Sequence, residues 1–226
     1  MKPYRIGIVG GGVIAKYHVA AIRALEPHLE IGAVADAHPE SRDFFSASQG
    51  VPLAYDSLTA MREGTPIDIV IVCTPPSTHE SLVAEALEAG CYVACEKPLT
   101  PTLSSANRLL QTTAKYPGRL STVHQLRYQD DFHAMTRIMQ SGKLGKPIHA
   151  TISKPNTFNF EGNQNPWWGK WDIAGGGIVM TQFIHYLDLC ALWFGMPDTV
   201  EGEMKTAKLP IESEDEFRAE FIYSSG

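Results

Sequence analysis

The sequence has little excess charge, few cysteines and no long apolar run. Its 226 residues carry 19 Lys and Arg against 25 Asp and Glu, which gives a net charge of −6. Because no basic cluster is present, we expect no nucleic-acid partner. The longest run without Asp, Glu, Lys or Arg is 173–187, which is shorter than the roughly 18–20 residues of a spanning helix. We therefore expect no membrane segment.

The four cysteines lie in apolar runs without Cys-x-x-Cys spacing, at Cys73, Cys91, Cys95 and Cys190. This pattern predicts reduced core thiols and no disulfide framework. An alternative role of Cys91 and Cys95 as metal ligands is disfavoured because no His lies nearby in the sequence, and we expect no metal site. The N-terminus shows no signal peptide, so a cytoplasmic location is expected.

The first part of the chain alternates β-branched runs with helical patterns. The predicted strands are Arg5–Val9, Ile31–Ala35, Pro52–Ala54, Ile67–Cys73, Tyr92–Cys95 and Leu120–Val123. The predicted helices between them are Val13–Leu25, Pro39–Ser48, Leu58–Glu63, Thr78–Ala89 and Leu103–Lys115. Such alternation is typical of βαβ units with a parallel sheet.

The pattern changes after residue 124, where we place a domain boundary. A helix is predicted at Asp131–Ser141 and another at Met180–Phe194. Strands are predicted at Pro147–Phe158, Val200–Thr206 and Glu214–Tyr223. Since the chain stops at turn-type residues after the third of these strands, we expect an incomplete, open sheet that favours pairing with a second copy.

The segment Gly10–Ala15 follows the first strand and opens the first helix, and it fits the pattern G-x-G-x-x-G/A. In this pattern Gly10 makes a tight turn, Gly12 lets the backbone approach a pyrophosphate, and Ala15 allows close helix packing. The helix N-terminus favours a bound phosphate. A Walker loop is excluded because no Gly-Lys-Ser/Thr follows. The segment therefore predicts a dinucleotide site.

Asp36 ends the second strand, where an acid binds the ribose hydroxyls of a dinucleotide. A carboxylate there repels a 2′-phosphate, so NAD is favoured over NADP. Two alternatives stay open: Arg42 could accommodate the phosphate of NADP, and Asp36 could merely cap the helix that begins near Pro39.

The predicted fold class is α/β, with a Rossmann doubly wound parallel sheet over 1–124. An incomplete α+β domain with an open, largely antiparallel sheet follows over 125–226.

Two further loops follow strands at the carboxyl edge of the predicted sheet, where ligands of α/β proteins bind. One is Thr74-Pro75-Pro76-Ser77-Thr78-His79, in which Ser77 or Thr78 is expected to cap the next helix. The other is Glu96-Lys97-Pro98, whose lysine would lie beside the nicotinamide.

Three glycines, Gly175–Gly177, precede a helix with Thr181, His185 and Asp188 on one face. By itself this pattern favours a buried, hydrogen-bonded histidine of structural importance. Taken together, however, the glycine turn, the Thr-Pro-Pro loop, Glu96-Lys97-Pro98 and this helix resemble the glucose–fructose oxidoreductase, inositol dehydrogenase and MocA (Gfo/Idh/MocA) family. The resemblance covers essentially the whole chain.

The resemblance implies an NAD(P)-dependent oxidoreductase that transfers hydride between the nicotinamide and a secondary hydroxyl or carbonyl of a sugar or polyol. It makes His185 the acid/base and Lys97 the group that polarises the reacting oxygen, with Thr181 beside them. Substrate contacts are expected from Arg127, Trp171 and Asp188. Cofactor contacts are expected from Gly10, Gly12, Val13, Ile14, Asp36, Thr74, Pro75, Pro76, His79, Glu96 and Lys97. A homo-oligomer formed through the second-domain sheet is also implied.

The chain departs from the family pattern in two ways. Thr181 stands where many relatives have Asp or Asn, so a hydroxyl replaces a charged or amide group. The chain is also shorter than its relatives, which suggests a truncated product. The alternative function is therefore a non-catalytic dinucleotide-binding sensor, partner subunit or truncated remnant. A metal-dependent alcohol dehydrogenase is disfavoured because no zinc-ligand set is found.

Overall fold

The computed structural model describes residues 2–155 and 167–224 of the chain. It divides the chain into two units, Met1–Val123 and His124–Gly226. The division falls one residue before the boundary that the sequence predicts.

A six-stranded parallel sheet forms the centre of the first unit, within its described residues. Its strands are β1 (Tyr4–Val9), β2 (Leu29–Ala35), β3 (Ala54–Tyr55), β4 (Ile69–Val72), β5 (Tyr92–Cys95) and β6 (Leu120–Thr122). The strand order is β3-β2-β1-β4-β5-β6. This is the doubly wound order, in which the direction of winding reverses between β1 and β4. The predicted Rossmann sheet is confirmed.

Helices connect the strands of the first unit. They are α1 (Val13–Ala24), α2 (Pro39–Gln49), α3 (Leu58–Gly64), α4 (His79–Glu88) and α5 (Leu103–Thr113). Both faces of the sheet are covered: one core cluster includes Val70 and Val72, and the other includes Ile8 and Val34, all fully buried. Burial on both faces explains why these strands are apolar at nearly every position.

The second unit contains α6 (Asp130–Gln140), α7 (Trp171–Ala174), a π-helical turn (Val179–Phe183) that continues into α8 (Ile184–Phe194), and strands β7 (Thr199–Lys205) and β8 (Glu216–Ile222). The two strands pair antiparallel, with Gly202 opposite Ala219. The predicted antiparallel sheet is confirmed for these two strands.

The third strand predicted for this sheet, Pro147–Phe158, is not found in its described residues. Residues 147–155 form no strand, and 156–158 lie outside the described part of the chain. Ile148 is 98% exposed, so it has no apolar face on which to pack. Because β-propensity reflects packing on a half-buried surface rather than an intrinsic backbone preference, an alternating sequence without such a surface does not form a strand.

The segment Trp171–Phe194 is long and apolar enough to cross a membrane by length and composition alone. In the structure it is interrupted: Gly175, with a φ of +79°, ends α7 before the next helix begins. Such a segment also occurs as a core helix of proteins that do not span a membrane. The expectation of no membrane segment stays a prediction.

The four cysteines are free, and Cys73, Cys91 and Cys95 are buried, as predicted for core thiols. Cys190 is only half-buried. Within the described residues, no group of three or more His, Cys, Asp or Glu side chains is arranged to hold a metal ion.

Candidate functional site

The glycine turn between β1 and α1 lies close to the end of β4. Gly10 has a φ of +97°, and a Cβ atom there would lie 2.8 Å from the carbonyl carbon of Cys73. Gly12, by contrast, faces open space, with no atom within 4 Å of a Cβ placed on it. The first turn of α1 has neither a side-chain cap nor an acidic residue, so its N–H groups and positive dipole end are available to an anion. These features fit the pyrophosphate of a dinucleotide.

Asp36 is held beside this turn by three hydrogen bonds. Its Oδ2 accepts from the backbone N–H of Gly11 at 2.8 Å and from the hydroxyl of Ser41 at 3.4 Å, and its Oδ1 accepts from the N–H of His38 at 2.8 Å. The carboxylate is therefore fixed beside the glycine turn. The sequence did not single out Ser41, although it lies in the first turn of the helix that follows Asp36.

The Thr-Pro-Pro loop after β4 is held by its own hydroxyls. The Oγ1 atoms of Thr74 and Thr78 are 2.6 Å apart, and Thr78 also donates to the carbonyl of Pro75 at 2.8 Å. Thr78 precedes α4, yet its side chain makes no capping hydrogen bond to the helix. The predicted cap is therefore wrong: Thr78 has helical dihedral angles (φ −98°, ψ −9°) instead of the extended backbone of a capping residue, and Ser77 lies within the short 3₁₀ turn Pro76–Thr78.

His79 connects this loop with the loop after β5. Its Nε2 lies 2.8 Å from the carbonyl oxygen of Thr74 and its Nδ1 lies 2.9 Å from that of Pro98. The side chain is fully buried. Burial lowers the pKa of His79, although the two carbonyls act to raise it. His79, predicted as a cofactor contact, thus has both ring nitrogens engaged with backbone.

Replacement of His79 by leucine is expected to destabilise the first unit by about 1–3 kcal/mol, because the neutral ring donates one N–H and its loss leaves a carbonyl without a donor, which costs about that much. Urea unfolding followed by far-UV circular dichroism measures the effect. The matched control is His28→Leu, since His28 is exposed and its replacement should leave the midpoint unchanged. Equal midpoints for the two variants would contradict a connecting role of His79.

Glu96 and Lys97 follow β5 at the same sheet edge. Glu96 is buried, and its Oε1 is 2.9 Å from Nε2 of His18 on α1. Its Oε2 accepts from the backbone N–H of Lys97 at 3.2 Å. Glu96 therefore has both oxygens engaged within the chain. Lys97 is half-buried. This burial lowers the pKa of Lys97, and the Glu96 carboxylate acts to raise it.

In the second unit, the three glycines Gly175–Gly177 precede the helical segment that carries His185. Gly175 and Gly176 have φ values of +79° and +151°, a backbone region that favours glycine. Gly177 lies against Glu214: a Cβ there would be 1.8 Å from the Glu214 carbonyl oxygen. The buried carboxylate of Glu214 accepts from the N–H groups of Gly177 at 2.9 Å and Val179 at 3.0 Å. Glu214 thus caps the helix end.

Thr181 and His185 are both buried on this helix. The hydroxyl of Thr181 donates to the carbonyl of Gly177 at 2.7 Å, which is the hydrogen bond that Ser and Thr often make to the preceding helical turn. The hydroxyl hydrogen of Thr181 is therefore used within the helix.

Asp188 and Arg127 form a bidentate ion pair, with two N–O distances of 2.6 Å. Asp188 also lies 3.8 Å from Nε2 of His124. The rings of His124 and His185 contact edge-on, with centroids 6.2 Å apart, and the side-chain nitrogen of Gln125 is 3.5 Å from Nε2 of His185. The structure thus brings together three of the predicted residues, Arg127, His185 and Asp188.

Trp171, also predicted as a substrate contact, is 47% exposed. Its indole N–H donates to the carbonyl of Glu212 at 3.1 Å. The polar atom of the indole is therefore engaged within the chain, while about half of the residue is exposed.

The sequence reasoning missed several residues around these groups: His18, Ser41, His124, Gln125 and Glu214. His124 and Gln125 come shortly after β6, the last strand of the parallel sheet. The rule that ligands bind at the carboxyl ends of strands, which identified Thr74 and Lys97, would also have found them. Glu214 is distant in sequence from the glycines that it contacts, and no local pattern indicates it.

The doubly wound sheet, the open glycine turn and the fixed acid at the end of β2 define a Rossmann-type dinucleotide-binding protein. More particularly, the chain belongs to the Gfo/Idh/MocA family. Residues 4–124 match the family model described as an oxidoreductase family with an NAD-binding Rossmann fold, and residues 132–226 match the family's C-terminal domain.

Individual relatives are distant and longer. An uncharacterised oxidoreductase of Schizosaccharomyces pombe is 29% identical over 99% of this chain and 61% of its own length. Inositol 2-dehydrogenase 4 of Saccharopolyspora erythraea is 31% identical over 70% of this chain and 48% of its own length. The crystal structure of the WlbA dehydrogenase of Bordetella pertussis with NADH and UDP-GlcNAcA has a TM-score of 0.86 and 25% identity, covering all of this chain and 65% of that one. The chain thus spans about half to two thirds of the length of these relatives.

Proposed function

We propose that this chain carries the cofactor half and the acid/base helix of an NAD-dependent dehydrogenase that acts on a secondary hydroxyl of a sugar or polyol. The observation that carries the proposal is the Asp36 carboxylate, fixed by the N–H of Gly11 beside an open glycine turn. Inositol and UDP-sugar relatives support the substrate class.

The cofactor, when bound, would accept or return the hydride at its nicotinamide. In the proposed site Gly10, Gly12 and the first residues of α1, Val13 and Ile14, would hold the pyrophosphate, and Asp36 the ribose. Further contacts are proposed from the loops after β4 and β5, namely Thr74, Pro75, Pro76, Glu96 and Lys97, with His79 holding the two loops together.

Oxidation of an alcohol also requires loss of the hydroxyl proton. We assign the proton to His185, because an imidazole exchanges protons near neutral pH. The Lys97 ammonium would donate a hydrogen bond to the same oxygen and stabilise its developing negative charge. Thr181 would accept a hydrogen bond beside His185. Arg127 and Asp188 would orient the substrate, and Trp171 would offer a ring face to a sugar.

The preference for NAD rests on Asp36 and on Arg42. The Arg42 guanidinium pairs with the adjacent Asp43, with Nε and Oδ1 3.0 Å apart. NADP would need a cation to bind its 2′-phosphate, and Arg42 is already engaged with a carboxylate. The cytoplasmic location and self-association through the open β7–β8 sheet stay predictions.

Asp36→Ser is expected to weaken NADH binding at least about tenfold, the loss of about 1.4 kcal/mol, and to narrow the preference over NADPH because the repelling carboxylate is gone. Fluorescence titration of NADH and NADPH measures both constants. The control is Glu63→Ser, which removes an exposed acid of α3 and should leave both constants unchanged. Absence of saturable binding by the parent chain would overturn the proposal; binding without turnover in a polyol screen would favour the non-catalytic alternative.

A further inference from the structure

Gln125 lies beside the histidine to which the alcohol proton is assigned, and both residues belong to the second unit. The side-chain nitrogen of Gln125 is 3.5 Å from Nε2 of His185. His185 is only 9% exposed, whereas Gln125 is an exposed residue of the short 3₁₀ turn Gln125–Tyr128. A ligand oxygen bonded to Nε2 would therefore have the Gln125 amide as its neighbour.

The position of Gln125 is fixed by the ion pair that begins two residues further along the chain. Arg127 lies on the same turn, and its guanidinium binds both oxygens of Asp188 at 2.6 Å. Asp188 lies on α8 three residues after His185, so these two residues share one side of the helix. The turn and the helix are thus joined at two neighbouring points. Gln125 is held at the nitrogen that would exchange the proton.

The contact between Gln125 and His185 is longer than an ordinary hydrogen bond. Hydrogen bonds from N–H groups in proteins usually span about 2.7–3.2 Å, so a distance of 3.5 Å binds the two groups weakly to each other. Hydrogen bonds of catalytic groups are often long before the substrate binds. A primary amide has two donor hydrogens and an acceptor oxygen, so Gln125 can either donate to a hydroxyl or accept from it. Exchange of this contact for a ligand therefore costs little.

One ligand geometry satisfies both groups at once. Because the two nitrogens are 3.5 Å apart, two oxygens bonded to them lie at a similar spacing or closer. Oxygens on adjacent carbons of a sugar or polyol ring meet this requirement when they are gauche. Oxygens two carbons apart in a six-membered ring are further from each other unless both are axial.

We propose that Gln125 is a substrate-binding residue that recognises the hydroxyl next to the reacting one, so that the substrate is a vicinal diol. This role rests on the proposed function and narrows its substrate class. When His185 takes the proton of one hydroxyl, the Gln125 amide holds the adjacent hydroxyl. The Arg127–Asp188 ion pair keeps the amide in place.

Nuclear magnetic resonance of the isotope-labelled chain, saturated with NADH, tests this assignment without turnover. The side-chain amide signal of Gln125 and the ring signals of His185 are assigned by their loss in Gln125→Leu and His185→Asn. We expect myo-inositol and trans-cyclohexane-1,2-diol to shift both sets of signals. The isomer trans-cyclohexane-1,3-diol has no adjacent hydroxyls and should shift His185 alone or neither residue. Equal shifts of Gln125 by the two isomers would overturn the proposal.

Gln125→Leu removes both hydrogen-bonding groups of the side chain. We expect the dissociation constant of myo-inositol, read from the His185 signals, to rise about two- to tenfold, the effect of one lost neutral hydrogen bond. The affinity for NADH and the urea midpoint of tryptophan fluorescence should not change. Gln129→Leu is the matched control, because Gln129 is exposed and its side chain makes no capping hydrogen bond to α6. An unchanged or lower constant in Gln125→Leu would show that Gln125 merely covers His185.

The two sets of signals separate this assignment from the proposed function. If myo-inositol shifts His185 but not Gln125, the proposed function stands and Gln125 is not a substrate contact. If NADH binds but neither residue responds to myo-inositol or to the diols, the proposed substrate class and the role of Gln125 both fail.

Discussion

Gly177→Ala is expected to prevent stable folding of the second unit. A Cβ at this position would lie 1.8 Å from the carbonyl oxygen and 2.7 Å from the carbonyl carbon of Glu214. Both atoms belong to backbone, so no side-chain rotation relieves the overlap. Overpacking typically costs about 1–3 kcal/mol and sometimes more.

Relief of this overlap requires the two backbones to separate, which breaks the hydrogen bonds that join them. These are the bonds from the N–H groups of Gly177 and Val179 to the Glu214 carboxylate, and from Ile178 N–H to the Glu214 carbonyl at 3.0 Å. Each contributes about 0.5–1.5 kcal/mol. The total expected loss is at least about 3 kcal/mol, a large part of the stability of a typical domain.

Tryptophan fluorescence measures this effect selectively, because all four tryptophans, Trp167, Trp168, Trp171 and Trp193, lie in the second unit. The urea midpoint of this signal should fall strongly, or the transition should be lost. Gly12→Ala is the control: it adds the same methyl group where no atom lies within 4 Å, and it should leave the tryptophan transition unchanged. A Gly177→Ala midpoint equal to that of the parent would refute the close contact with Glu214.

The parallel sheet could be predicted from the sequence because its signals are local and mutually consistent. The predicted strand Tyr92–Cys95 has the same bounds in the structure, and Pro39 begins α2 as expected for a first-turn proline. Strands that are covered on both faces appear as continuous apolar runs. The glycine turn and Asp36 could be identified because the motif fixes their places relative to β1 and β2.

What the sequence did not reveal depends on contacts between distant residues. Pro147–Phe158 has the alternation of a strand, but residues 147–155 find no surface on which to form one. The engagement of Glu96 by His18 links residues 78 positions apart. The three glycines Gly175–Gly177 could be recognised as a motif. The reason that the third must be a glycine is its close approach to the carbonyl oxygen of Glu214, which lies 37 residues further along the chain.

His185→Asn is expected to reduce the turnover of any sugar or polyol that the parent chain oxidises by about 10²–10⁴-fold, the usual contribution of a general acid/base. Asparagine can still hydrogen-bond in the buried position beside Gln125, but it cannot accept the alcohol proton. The affinity for NADH should stay within about twofold, because the cofactor contacts proposed above lie in the first unit.

The measurement is the steady-state formation of NADH, compared with NADH binding by fluorescence. His133→Asn makes the same exchange at an exposed position of α6 and should retain full turnover. Unchanged turnover in His185→Asn would remove His185 from the proton step and leave Lys97 as the remaining candidate. A lysine that takes the proton must be neutral before the reaction, and burial lowers the pKa of Lys97 toward that state while the Glu96 carboxylate acts to raise it.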